Sequence, residues 1–398
     1  MAKNISGKVA IIGAGITRFG ELFEQSYNDL VVEAAFDAYQ DAGVTVDDIE
    51  AAWLGTFLPL GWGFDGTGGP SLAEALDLYP KPVSQVANYC TTGMEAVRMA
   101  AMAVASGLYD VVLAVGAEKM REVPPRGSLV AQHVEKLHPL YAKGRTAPGS
   151  FAVLATRYFH EYGASKDDLA EVAVKNHYHG SLNPKAHFRK EITKEQVLKA
   201  PMVTEPLGLF DCCPTTDGAA AVVLCRADLA EKRFGKKDYV LIEGMGLSCA
   251  NGYLTTAFNP RFDFLGFEAT REAARQAYEQ AGVTNPREQL DLAEVHDCFT
   301  ITEMLNYEDL GFCGRGEAPA FVKGGSSRLG GELPVNTSGG LKSCGHPIGA
   351  TGARVVAHVT NQLLGRCGKH QVKGAKRALG HTLGGPGAVS SVFVLAKN

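Results

Sequence analysis

Three stretches of this 398-residue chain put nucleophilic or proton-transferring side chains on small-residue turns. Cys90 stands in Asn88-Tyr-Cys-Thr-Thr-Gly93, directly before residues 94–106, where Met94, Val97, Ala101 and Val104 are apolar and so are Ala96, Met99, Ala100 and Ala103 between them. A helix apolar all round lies inside a large core, and its alanines let another backbone come close. A cysteine at the N-terminus of such a helix faces the positive end of the macrodipole, which favours thiolate. The ordinary alternative is an inert core cysteine. His346 stands in Asn336-Thr-Ser-Gly-Gly-Leu-Lys-Ser-Cys-Gly-His-Pro-Ile-Gly-Ala-Thr-Gly352. Pro347 fixes the turn, and the glycines admit close approach of backbone or ligand. Val355, Val356, Val359, Leu363 and Leu364 recur at helical spacing, so a helix is predicted from about Thr351. The third stretch, Glu294-Val-His-Asp-Cys-Phe299, carries His296 and Cys298 two apart, on one side of a strand. A thiol with imidazoles to move its proton is the equipment of nucleophilic acyl chemistry.

The elements that position these groups come as a repeat. Ala34-Ala-Phe-Asp-Ala-Tyr-Gln-Asp-Ala-Gly-Val-Thr45 matches Ala273-Ala-Arg-Gln-Ala-Tyr-Glu-Gln-Ala-Gly-Val-Thr284 at eight of twelve positions, 239 residues apart. That period is too long for a solenoid unit and points to two similar βαβ-rich halves. The Cys90 turn and helix of the first half then correspond to the His346 turn and helix of the second. Two parallel sheets enclosing a layer of buried helices would bring both helix N-termini to one place. Residues 8–16 read as a strand running into a Gly turn, followed by a helix over 29–42 that stops at Gly43. Arg18 stands where a dinucleotide fingerprint needs its third glycine. Residues 51–55, 108–117 and 389–395 read as further strands.

An apolar share of 45% and a charged share of 21% are those of an ordinary globular enzyme. A net charge of −4 gives no reason to invoke nucleic acid or an anionic membrane. No apolar run approaches the ~20 residues of a membrane span, and the first residues lack a signal-peptide core. The nine cysteines lack disulfide-framework spacing and read as reduced thiols of a cytoplasmic protein. Cys212 and Cys213 read as structural, and no Cys-x-x-Cys pair suggests a metal.

Taken in order, Cys90 before its buried helix, His-Asp-Cys-Phe at 296–299 and Gly-His-Pro-Ile-Gly-Ala-Thr-Gly at 345–352 resemble the thiolase superfamily. Thr216-Asp-Gly-Ala-Ala also resembles a thiolase strand. The His-Asp-Cys-Phe form resembles the branch of sterol-carrier-type and archaeal acetyl-CoA acetyltransferases. The resemblance implies an α/β thiolase fold in five layers, α/β/α/β/α. Its halves would be 1–120 with 201–250, and 251–398; residues 121–200 would be an inserted loop domain covering coenzyme A. That insertion holds thirteen Lys/Arg against eight Asp/Glu and six of the eleven histidines, which suits phosphate groups.

By resemblance, Cys90 takes the acyl group, His346 is its base and His296 donates to the enolate oxygen. The other oxyanion hole would be the Cys90 N–H with the Leu383–Gly384 region. Thiolases carry a second cysteine at the head of a Cys-x-Gly-Gly-Gly-x-Gly loop. Here Gly380-His-Thr-Leu-Gly-Gly-Pro-Gly387 puts His381 in its place and Leu383 at the first of those glycines. Cys298 and His381 thus both stand as the second acid/base. The implied reaction cleaves or forms a 3-oxoacyl-CoA, with coenzyme A as co-substrate, no permanent cofactor and no metal. A retro-aldolase on a CoA-linked side chain needs no thiol, and a non-catalytic subunit would have lost a site residue. Residues 58–64 and 252–258 suit either a bulky or aromatic acyl group or dimer and core contacts. The resemblance also implies a homodimer or dimer of dimers, paired through an edge strand at 82–87. It further implies a small zinc-ribbon/OB-fold acyl-CoA-associated protein supplied in trans.

Overall fold

A computed structural model describes residues 4–59, 68–123, 146–250 and 262–398. Its main helices are α1 (Tyr27–Ala42), α2 (Thr92–Ala105), α3 (Ala147–Tyr162), α4 (Lys166–Leu182), α5 (Glu268–Ala281), α6 (Thr300–Asp309) and α7 (Ile348–Leu363). Its large sheet holds β1 (Val9–Ile16), β2 (Ala51–Gly55), β3 (Val83–Val86), β4 (Val111–Glu118) and β5 (Gly218–Arg226). The second half adds β6 (Val240–Cys249), β7 (Leu292–Glu294), β8 (Arg377–Gly384) and β9 (Val389–Lys397).

The repeat seen in the sequence is a repeat of structure. Helices α1 and α5 both end on a left-handed glycine, Gly43 at φ 71° and Gly282 at φ 66°, which closes the last turn as only glycine does without strain. Each lies on a strand that has glycines beneath it. A Cβ on Gly13 or Gly15 of β1 would stand 2.2 and 2.0 Å from the carbonyls of Ala38 and Ala34. On Gly244 or Gly246 of β6 it would stand 2.1 and 1.9 Å from those of Ala277 and Ala273. Gly13 and Gly15 are therefore packing glycines inside a strand, not the turn expected after it.

The nine strands run in the order β3-β2-β4-β5-β1-β6-β9-β8-β7. The second half mirrors the first about the β1–β6 contact, where Ala10 pairs Leu241. The counterpart of β3 is reduced to one parallel bridge, Ala293 to Val335. The expected parallel sheets are corrected to a mixed one. The β2 strand runs parallel to β3 and β4, but β5 is antiparallel to both β4 and β1. The chain re-enters at β5 after the inserted segment, from the opposite end. The two sheet layers are also continuous through β1 and β6 rather than separate.

Alternation along the strands makes two cores from one sheet. Val112, Ala114 and Val222 face Met94 and Val97 of α2 and Val355 and Val359 of α7. Leu113, Val115 and Val223 face Leu30, Ala34 and Ala38 of α1. Helix α5 covers the outer face of the second half, with Ala273 and Ala277 against Val392 and Val394. The layers are thus α1, first-half strands, α2 with α7, second-half strands and α5. Helices α2 and α7 touch backbone to backbone, since a Cβ on Gly93 would stand 2.4 Å from the Gly349 carbonyl. Helix α2 is not buried all round as expected: Met99 and Met102 are 40% and 43% exposed. The described part of 121–200 supplies α3 and α4 and no strand of the large sheet. Of the two expected acyl-pocket segments, 60–64 and 252–258 lie outside the described residues. No helix among the described residues is long and apolar enough to cross a membrane.

Candidate active site

The N-termini of the paired helices meet at one cavity of ≈ 150 Å³. Its wall includes Cys90, His296, Cys298 and His346, with Phe57, Tyr89, Phe151, Phe299 and Ile348 as its apolar part. Cys90 Sγ and a ring nitrogen each of His296 and His346 lie within 4.8 Å of one another, a set that would also accommodate a soft metal ion. Cys90 precedes α2, and its neighbour Tyr89 holds φ at 48°, a left-handed value that turns the thiol into the cavity. His346 precedes α7, which starts at Ile348, three residues earlier than its valines alone suggest, because Pro347 serves as its N-cap.

Helix α7 is held at its first turn by Glu118, at the end of β4. Its carboxylate accepts the Gly349 N–H at 2.7 Å and those of Phe57 and Leu58 at 2.9 and 3.2 Å. A carboxylate is favoured at a helix N-terminus.

The thiol is not the thiolate anticipated from the helix dipole. Burial pushes Cys90 up to about 12; the Gly385 and Cys90 amides pull the other way, and the Glu118 charge adds to the rise. Burial likewise pushes His346 down to about 3. The resting pair is therefore a neutral thiol beside a neutral imidazole. The Thr351 hydroxyl gives its hydrogen to the Pro347 carbonyl at 2.9 Å, so toward His346 Nδ1, at 2.7 Å, it acts as acceptor. Nδ1 then carries the ring proton and Nε2 is left bare, the form a general base requires. Thr351→Val keeps the shape and removes the acceptor. We expect kcat/KM to fall about 10- to 100-fold, less than the ~10⁴-fold that a wrong tautomer costs a Ser-His-Asp triad. Thr351→Ser should retain activity; equal losses in both variants would show that the hydroxyl does not set the tautomer.

Residues 296–298 lie beyond β7, which ends at Glu294, so they are loop and not strand as expected. His296 and Cys298 nevertheless line the cavity, and Asp297 does not. Asp297 accepts from Leu341 N at 2.6 Å, Lys342 N at 3.2 Å and Asn176 Nδ2 at 2.8 Å. It thereby ties the His296 loop to the turn ahead of His346 and to α4. Burial, with the Glu303 charge second, pushes that carboxyl above the usual carboxylate range. Asn306 Nδ2 holds the His296 carbonyl at 2.8 Å. The His296 ring itself is fully buried, and neither nitrogen has a hydrogen-bond partner. It meets the His346 ring edge-on at 5.1 Å and 86°. Burial, and then the proximity of His346 and His381, holds it well below the ordinary imidazole range, hence neutral.

Cys298 Sγ lies 3.6 Å from Thr302 Oγ1, and burial keeps its thiol protonated. His381 is not on the cavity wall. It sits behind His296, with Nε2 at 3.0 Å from Ser390 Oγ and Nδ1 accepting the His296 N–H at 3.3 Å. Leu383 is buried within β8, opposite Ser390. Gly384 approaches Cys90 N, and the Gly385 amide donates to Cys90 sulfur. Cys213, read as structural from sequence, lines the same cavity, its N–H bonded to the Cys298 carbonyl at 2.9 Å. Nothing local marks Cys213 or Gly385; Thr351 has a signal, its fixed place five residues after His346.

A thiol beside two imidazoles, one of them unpartnered, at the meeting of two related halves is a set of groups suited to acyl transfer through sulfur. The sequence matches the family descriptions "Thiolase, N-terminal domain" over residues 9–228 and "Thiolase C-terminal domain-like" over 251–397. It is 41% identical over 390 residues to the acetyl-CoA acetyltransferase of Methanothermobacter thermautotrophicus, covering 98% of this chain and 99% of that one. It is 34% identical to human sterol carrier protein 2, covering 96% of this chain and 71% of that one. A solved structure named as an Ltp2-ChsH2(DUF35) aldolase superposes with a TM-score of 0.85 at 28% identity, over 99% of both chains. The chain belongs to the thiolase family and is an acyltransferase of that family.

Proposed function

We propose that the protein cleaves or forms 3-oxoacyl-CoA thioesters by Claisen chemistry through an acyl group on Cys90. His346 Nε2 removes the thiol proton as sulfur attacks the 3-oxo carbon. The bond between C2 and C3 breaks, and its electron pair passes into the enolate of the released acyl-CoA. His296 donates a hydrogen bond to that enolate oxygen, and Cys298 gives C2 its proton. Free coenzyme A then takes the acyl group from Cys90. The observation that carries this reading is the buried His296 ring with both nitrogens unpartnered beside Cys90 and His346. An imidazole so placed is a preorganised donor for an oxygen the substrate must bring. Thiolysis of a panel of 3-oxoacyl-CoAs, short, long and aromatic, tests it; no acyl-CoA product from any member would refute it. The aromatic wall of Phe57, Tyr89, Phe151 and Phe299 supports a bulky or aromatic acyl group.

The similarity to a solved aldolase supports a second reading, retro-aldol cleavage of a CoA-linked side chain. That reaction forms no acyl-enzyme, so intact mass after substrate addition separates the two.

Cys298 faces the cavity and His381 does not, which supports Cys298 as the group exchanging the enolate proton. Deuterium exchange at C2 of the acyl-CoA should therefore collapse in Cys298→Ala and persist in His381→Asn. The reverse pattern would move the role to His381. Coenzyme A is the co-substrate in this reading, with its phosphates under the basic segment 121–200. Half-exposed β3 at the sheet edge, with exposed Met99 and Met102, supports a homodimer face. The similar aldolase, whose name joins Ltp2 to ChsH2(DUF35), supports an accessory acyl-CoA-associated chain in trans. Light scattering on the purified chain should give at least a dimer; a fully active monomer would sink both assemblies, and an active dimer alone only the second.

A further inference from the structure

A second cavity, of ≈ 570 Å³, opens on the side of α7 away from Cys90. Its wall carries five cationic side chains, Lys185, Arg189, Arg354, Arg366 and Lys369, and no carboxylate. Three of them have counter-ions. Arg366 pairs with Asp41 at 2.7 Å, Lys185 with Asp37 at 3.6 Å, and Arg354 Nη1 with Glu294 at 2.7 Å. Arg189 and Lys369 are exposed and make no ion pair among the described residues. The floor is the informative part. Arg354 is 1% exposed, yet its Nε and Nη2 have no hydrogen-bond partner. Guanidinium donors removed from water and left unmet are costly, and where a fold tolerates them an ion or ordered water is the usual explanation.

We propose that this pocket binds an oxyanion, a phosphate or carboxylate group held by the free edge of the Arg354 fork and drawn in by Arg189 and Lys369. The planar fork matches two oxygens of such a group. A metal fits less well, although His358, Cys367 and His370 offer ligand atoms within 4.8 Å of one another. The His358 and His370 rings are stacked, 5.3 Å apart and 9° from parallel, so their in-plane lone pairs do not converge on one point. The Arg354 charge beside them opposes a cation. This site does not depend on the thiolase chemistry above.

Equilibrium dialysis of the full chain against labelled inorganic phosphate at fixed ionic strength tests the proposal. We expect a single phosphate per chain, retained when coenzyme A is saturating. The double variant Arg189→Glu/Lys369→Glu should weaken it about tenfold or more, whereas Lys199→Glu, at another exposed site, should not. Arg354→Lys keeps the pair with Glu294 but loses the fork, and should abolish retention; should it fail to fold, the rim variants still decide. Displacement by equimolar acetate would assign the site to carboxylates, and resistance to acetate would assign it to phosphates. Absence of binding, displacement by coenzyme A, indifference to the rim reversal, or stoichiometric zinc without phosphate would each overturn it.

Discussion

Cys90→Ala is expected to lower turnover by about 10⁴-fold or more, the scale on which covalent catalysts lose activity with their nucleophile. Intact mass after addition of an acyl-CoA should show a single acyl adduct on the native chain and none on the variant. An adduct that survives in Cys90→Ala would remove the residue from the role. The pH profile carries the same argument further. A free thiolate would make the rate rise toward an ordinary thiol pKa near 8.5. In this fold burial raises the Cys90 thiol to about 12 and lowers His346 to about 3. A base is lost only when it protonates, so the acid limb of kcat/KM belongs well below 6.5 and the profile should be flat between about pH 5 and 8. Rapid alkylation of Cys90 at pH 7 would show a resting thiolate, and an acid limb centred near 6.5 would show that His346 titrates as an ordinary imidazole.

His296→Ala should cost about 10²- to 10³-fold in carbon–carbon cleavage or formation, the weight of one oxyanion donor. The loss should be one-sided. Acylation of Cys90 by acetyl-CoA passes through no enolate, so the adduct should still form, at a rate within a few-fold of the native chain. Only condensation, or cleavage of a 3-oxoacyl-CoA, should collapse. Equal loss in both half-reactions would make His296 a support for the cavity, and no loss in either would remove it from the chemistry. The expectation rests on a ring whose nitrogens are buried, neutral and unpartnered while its main chain is fixed from both sides, by Asn306 at the carbonyl and His381 at the amide.

The three motifs were legible because each is a short run whose chemistry depends on adjacent residues. Cys90, His346, His296 and Cys298 were placed together from such runs, and the duplicated helices from a twelve-residue match. What the sequence withheld is non-local. Strand direction at β5 depends on where the chain re-enters after a long insertion, which local pattern does not encode. The state of the half-buried Cys90 thiol follows from the desolvation that distant segments impose on it, which outweighs the dipole of one helix. Cys213 is brought to the cavity beside Cys298, to whose carbonyl its N–H is bonded, and Gly385 is brought to the Cys90 sulfur where β8 ends beside Tyr89. The exposure of Met99 and Met102 was hidden for the converse reason, since an apolar side chain says nothing of which face the fold leaves uncovered.

The backbone contact between α2 and α7 has a consequence for the order of events on the ribosome. Gly93 and Gly349 are 256 residues apart in sequence, and the core that joins their helices draws strands from both halves. When β5 has emerged, the first half can pair its strands, but the inner side of α2 still faces the gap that α7 will fill. At about 5–20 residues per second, that gap stays open for roughly 7–27 s before residue 363 is made. Throughout this interval the side of α2 that α7 covers lacks its partner. The two regions matched separately by family descriptions share one middle layer, and a chain cut between them would leave each piece with only one of its two helices.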